Sequence, residues 1–191
     1  MATFTLDRAF VSPLPLSGAT AHASPALAGS VLEDRLVQFQ SLGSTPPLVT
    51  GAFQERIVRS RVDGTLAFYY RITELRGGEL DQFFRVELGP LPTPRPTVEV
   101  EYRTDGLGVI GPQGVLFDGA AISFVFSASS PGRTIPVTET ALSRFMFFKL
   151  TSAESSGRPI TYAADRFGRI SMRGVRWATG VIGNSFHPVF S

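Results

Sequence analysis

A chain of 191 residues is long enough to bury a core without staples, and with no cysteine it excludes disulfides and thiolate metal sites. The net charge is +2, and the basic residues Arg166, Arg169, Arg173 and Arg176 are too sparse for a dense basic stripe, which argues against a nucleic-acid partner. No run of eighteen apolar residues occurs, so no transmembrane helix is expected.

Residues 2–6, ATFTL, set Phe4 and Leu6 on one face of a first strand. Residues 12–29 are rich in Pro, Ser, Ala and Gly and read as irregular, so 1–29 is expected to be an extended arm or linker. The small residues Ala19 to Ser24 resemble a cleavage site. Asp7, Pro13 and Pro15 interrupt the apolar stretch before them, which argues against a signal peptide. Residues 30–41 fit two periods. Ser30 and Glu33 have capping-box spacing, with Leu32, Leu36 and Phe39 on one helical face; a strand from Arg35 to Gln40 fits equally well.

The clearest pattern is the run from Glu55 to Ile72. Two alternating stretches flank Asp63-Gly64, which suits a two-residue hairpin turn. On the second arm Leu66, Phe68, Tyr70 and Ile72 point one way, and Tyr69 the other. Glu79 to Phe83 reads as a helical turn, followed by a strand carrying Phe84, Val86 and Leu88. Prolines at 90, 92, 94 and 96 cannot donate to a ladder, so they mark an edge or a crossing between sheets.

In TVEVEYR, residues 97–103, Val98, Val100 and Tyr102 are expected inward and Glu99, Glu101 and Arg103 outward. Asp105-Gly106 and Asp118-Gly119 signal turns, Ile122, Phe124 and Phe126 a strand, and Pro131-Gly132 a loop. Residues 143–151 are apolar enough to be buried on both faces. Alternation weakens through Ile160–Ala163, Arg169–Ala178 and Ser185–Phe190, leaving 179–191 as a second arm. The reading is all-β: one antiparallel sandwich over 1–191, jelly-roll or immunoglobulin-like, with about nine to eleven strands and at most one or two short helices.

Chemistry-bearing motifs are few. Gly106, Gly108 and Gly111 match a dinucleotide fingerprint but open no helix. His22 and His187 stand alone, so no metal site is expected from them. No G-x-S-x-G elbow occurs, and the chain is read as a non-enzyme with no cofactor. Glu99 and Glu101 share one strand face, where solvent-facing charge is the ordinary role. Asp63, Asp105 and Asp118 would bind Ca²⁺ only if they converged, and turn chemistry already explains each.

Two aromatics, Tyr69 and Trp177, are candidates for stacking on a sugar, the alternative being a two-sided core. Charge is uneven. Eleven arginines face fourteen acids before residue 143, and seven basic residues face Glu154 and Asp165 after it, net −3 and +5. Arg166, Arg169, Arg173 and Arg176 therefore suit contact with an acidic surface of another copy. Phe4 and Leu6 at one end, and Phe186 and Phe190 at the other, have the alternation of strands that could pair with a neighbour's open edge.

Three stretches carry a family resemblance: GTLAFYYRI at 64–72, VEYRTDG at 100–106, and IPVTETALSRFMFFKLTSA at 135–153. Together they resemble bacterial secreted β-sandwich proteins of the kind often bearing a PEP-CTERM sorting signal. The resemblance covers roughly residues 50–155 and implies an extracellular sandwich associated with surface or matrix material. The Pro-Glu-Pro signal, the membrane span and the basic tail of that group are not in this sequence. The expected function is a non-enzymatic structural subunit of an extracellular filament, surface coat or matrix, assembling with itself through terminal strands and charge. The alternatives are a carbohydrate-binding module and a virion coat or decoration protein assembled in the cytoplasm.

Overall fold

The computed structural model describes residues 1–91, 93, 95–126, 137–150, 160–174 and 176–190, and the expected loop around Pro131 lies outside them. Thirteen strands, numbered in chain order, and one 3-10 turn, Pro25–Leu27, make up the described backbone. Six strands form one sheet in the order β1 (Ala2–Thr5), β7 (Thr97–Tyr102), β10 (Met146–Leu150), β5 (Leu66–Arg76), β4 (Thr50–Ser60), β3 (Gly29–Gln40). Five form a second, in the order β12 (Ile170–Arg173), β6 (Phe83–Glu87), β9 (Ala121–Val125), β8 (Gly114–Phe117), β2 (Phe10–Pro15). A ribbon of β11 (Ile160–Ala164) and β13 (Phe186–Phe190) completes the set, and the named strand pairs are all antiparallel. The all-β sandwich expected from the two-residue period is the fold, with two more strands than the upper count from sequence.

The alternating residues build the interface between the sheets. Phe68 and Phe148 stack at 4.9 Å between ring centres on adjacent strands of the first sheet. Phe84 of the second sheet meets both Phe53 and Tyr70 of the first, each at 5.6 Å. Val98 and Val100 face the same interior as Val115, Phe117, Ile122 and Phe124. The chain crosses from the second sheet to the first between β6 and β7, the stretch that holds Pro90 and Pro96, with Pro92 and Pro94 outside the described residues.

Several local expectations change. Residues 30–40 are strand and Ser41 forms an isolated bridge with Thr179, because β3 finds a partner in β4 from Gly29 opposite Ser60 to Gln40 opposite Thr50, with one register shift between Val31 and Glu33. Glu79 to Phe83 forms no helical turn; Leu80 instead exchanges two backbone hydrogen bonds with Val137, both 3.0 Å. Asp63 and Gly64 are not a two-residue hairpin. Five residues join β4 to β5, Gly64 alone has a positive φ (73°), and the Asp63 carboxylate accepts from the Thr65 N–H and hydroxyl.

The outer face of the first sheet is not a plain solvent face. Leu27, Val58, Ala67, Tyr69, Phe145 and Phe147 form a second apolar cluster there, with Ala19 packed against it. Residues 12–29 are thus not a free linker: part forms β2, and Leu16 and Leu27 are buried. Glu101, expected outward in water, is buried, and its carboxylate accepts from the Gly18 N–H at 2.9 Å and pairs with the Met1 amine at 3.4 Å. Lys149, the one lysine, is buried on the same face between Asp63 (3.3 Å) and Glu99 (3.5 Å).

Candidate functional site

The two ends of the chain are occupied. β1 pairs with β7, Phe4 opposite Val98, and Leu6 is buried against the core. β13 pairs with β11, so Phe190 stands opposite Ile160 by register, while Phe186 packs under Tyr162 in an edge-on contact. Each terminal strand is thus paired on one side within the same chain, while β1 ends its sheet and the β11–β13 ribbon has only two strands, so the other edge of each has no strand beside it among the described residues.

Edge strand β3 is the longest strand at a sheet end. It is twelve residues long and lies at the end of its sheet, with β4 on one side and no strand among the described residues on the other. Leu36 is 61% exposed and Val31 52%, and Leu32 is exposed as well. Two of its charged residues are paired from within, Asp34 with Arg56 at 2.6 Å and Arg35 with Glu55, while Glu33 accepts a hydrogen bond from the Tyr162 hydroxyl and keeps its charge. A register shift between Val31 and Glu33 bulges the strand at its start.

The stacking candidates are both inside. Tyr69 is 3% exposed and its ring lies 5.0 Å from that of Phe147, the two-sided core that sequence offered as the alternative. Its hydroxyl makes no hydrogen bond of ordinary geometry among the described residues, though the Arg103 guanidinium lies near it. Burial raises the Tyr69 pKa, with Arg103 pulling the other way. A groove of about 400 Å³ runs beside it, lined also by Arg56, Arg61 and Arg103. Trp177 is 8% exposed, lies nearly parallel to Phe39 at 6.4 Å, and donates from Nε1 to the Glu79 carbonyl at 2.9 Å.

Trp177 also borders a cleft of about 440 Å³ at the chain reversal after β5, together with Leu48, Val49, Glu79, Asp81 and Arg176. Asp81 is 8% exposed, and its Oδ1 is buried without a hydrogen-bond donor among the described residues. Sequence reasoning passed over Asp81, since a single acid after Gly77-Gly78-Glu79-Leu80 has no periodic signature.

The four arginines do not gather. Arg166 lies over the Phe167 ring, Arg169 reaches Glu87 at 3.7 Å, Arg173 ends β12, and Arg176 lines the cleft. Asp63, Asp105 and Asp118 sit in separate turns. Asp105 is held by both ends of the Arg103 guanidinium, which lowers its pKa to about 2. Asp118 Oδ1 accepts from the Ala120 and Ala121 N–H groups while Oδ2 accepts from Arg85. No group of three metal-ligating side chains occurs among the described residues. His22 is exposed, whereas His187 is buried and meets Asp165 at 2.8 Å.

Against known proteins the chain stands apart: no family model matches it, and neither the curated proteins nor the solved structures yield a match. No helix among the described residues is long and apolar enough to cross a membrane.

Proposed function

We propose that this protein is a non-enzymatic structural subunit, working at the cell surface or in an extracellular matrix or coat, that assembles with copies of itself through the edge of β3. The observation that carries the reading is the open edge of this long strand, with no described strand on its outer side and with Val31, Leu32 and Leu36 exposed. An open edge offers a row of backbone donors and acceptors, and an antiparallel β3 from a second copy under a two-fold axis matches it group for group. Two of the charges that ordinarily protect an edge, Asp34 and Arg35, are here paired with the chain's own Arg56 and Glu55, which leaves Glu33 as the one uncompensated charge on the strand among the described residues. The extracellular setting rests on the family resemblance. Its three motifs fall on β5, β7 and β10, which are neighbours at the centre of one sheet, with 135–136 and 151–153 outside the described residues.

Sedimentation velocity across a concentration series tests the reading. The wild-type chain is expected to associate, and the double substitution Val31→Lys and Leu36→Lys to return it to monomer without changing its melting temperature. A wild type that stays monomeric at every concentration, or an assembly indifferent to those two charges, would overturn it.

A further inference from the structure

We infer that the cleft beside Asp81 is a binding site for a neutral saccharide, a property separate from assembly through β3. Three features of different kinds meet there. First, Asp81 presents a carboxylate whose Oδ1 is buried and has no donor among the described residues, although burying a polar atom without a hydrogen bond is costly. Oδ1 lies too deep for a ligand to touch, so the carboxylate meets the cleft through its other oxygen, which has no hydrogen bond among the described residues and is open to a ligand's O–H or N–H.

Second, two further charges border the same space, Glu79 and Arg176, both exposed and with no ion pair to each other or to another described residue. Acids accept from hydroxyls and a guanidinium donates to them, so the set suits a ligand that is both donor and acceptor and carries no net charge. An anion would meet Asp81 and Glu79; a simple cation would leave Arg176 opposed to it.

Third, the wall is apolar: Leu48, Val49 and the edge of Trp177. A pyranose ring combines these demands, with hydroxyls on its rim and C–H groups on its face. The indole is fixed in place by its bond to the Glu79 carbonyl and by Phe39 behind it, so it contributes a rigid edge and not a free stacking face. The volume of about 440 Å³ lies in the range of small-molecule sites.

Trp177 is the only tryptophan in the chain, so its emission reports on this cleft. Titration with glucose and with the hexaoses of the cello-, malto- and xylo-series, read by fluorescence and by calorimetry, is expected to give saturable binding by at least one. Binding by glucose marks a free-sugar site, and binding by a hexaose alone marks a glycan chain. Asp81→Asn is expected to weaken the affinity about tenfold or more, as loss of a charged hydrogen bond implies. Arg176→Gln, at an exposed position that cannot unfold the chain, is expected to weaken it as well. No saturable heat or emission change with any of these sugars, unaltered affinity in both variants, or tighter binding of putrescine than of every sugar would overturn the assignment. None of these outcomes bears on self-association.

Discussion

Glu55 and Ser185, separated by 130 residues, meet in the core, where the Ser185 hydroxyl donates to the Glu55 carboxylate. The same carboxylate accepts from the Phe186 N–H at 3.1 Å and pairs with Arg35 at the sheet edge. Tyr70, opposite Glu55 on β5, donates its hydroxyl to the Phe186 carbonyl at 3.0 Å. An acid that faces the sandwich interior thus fastens the last strand of the chain to β4, next to the edge of the first sheet.

Replacing Glu55 with Ala leaves the Ser185 hydroxyl and the Phe186 N–H buried without an acceptor. Each should cost about 1–3 kcal/mol. Urea unfolding of Glu55→Ala, Ser185→Ala and the double variant should show a coupling of roughly 0.5–3 kcal/mol between the two positions. Strict additivity would mean that the contact contributes nothing.

Acid stability should carry the mark of two aspartates. The Arg103 guanidinium lowers Asp105 from 3.8 to about 2. Asp63 is also held below its ordinary value: desolvation opposes this, and the hydrogen bonds from Thr65 and Ser60 together with the charge of Lys149 outweigh it. A carboxylate lowered on folding stabilises the native state above its unfolded pKa, and that stability fades as pH falls through the folded value. Melting temperature should therefore drop between pH 3.8 and about 2, and less steeply in Asp105→Asn. An identical slope in the variant would remove Asp105 from the account.

Lys149 offers a chemical test of the outer face. Its amine lies between Asp63 and Glu99 and is 5% exposed, and it is the only lysine. An amine-reactive ester should modify the chain terminus quickly and Lys149 only after unfolding. Peptide mass spectrometry of native and denatured samples distinguishes the two sites; equal rates would place Lys149 in water.

Two glycines should respond differently to a methyl group. Gly64 has φ +73° and open space around its missing Cβ, so Gly64→Ala should cost only the left-handed backbone penalty, about 1–2 kcal/mol. Gly108 has φ +90° and a Cβ there would lie 2.0 Å from the Ser143 carbonyl oxygen, so Gly108→Ala adds a backbone collision and should destabilise clearly more. Thermal melts of the pair should keep this order.

Much of the core was legible in advance. Leu66, Phe68, Tyr70 and Ile72 point into the sandwich as their alternation requires, and the proline run lies where the chain changes sheets. The candidate sites were far less legible. Trp177 could be singled out as the lone tryptophan, yet Asp81 beside it could not. Glu55 shares an interior-facing side with Phe53 and Ile57, a signal that an acid on an apolar stripe has a buried partner, but the partner lies at the far end of the chain.

Period two, broken at glycines and prolines, decided by itself that this chain forms antiparallel layers, because alternate side chains on a strand must part to opposite faces. It could not decide which edges stay open. Whether β1 and β13 pair at home, whether 30–41 is strand, and whether the outer face of a sheet meets water or residues 16–29 depend on which segments come to lie side by side. That is settled by contacts between distant parts of the sequence, and such contacts leave no local period to read.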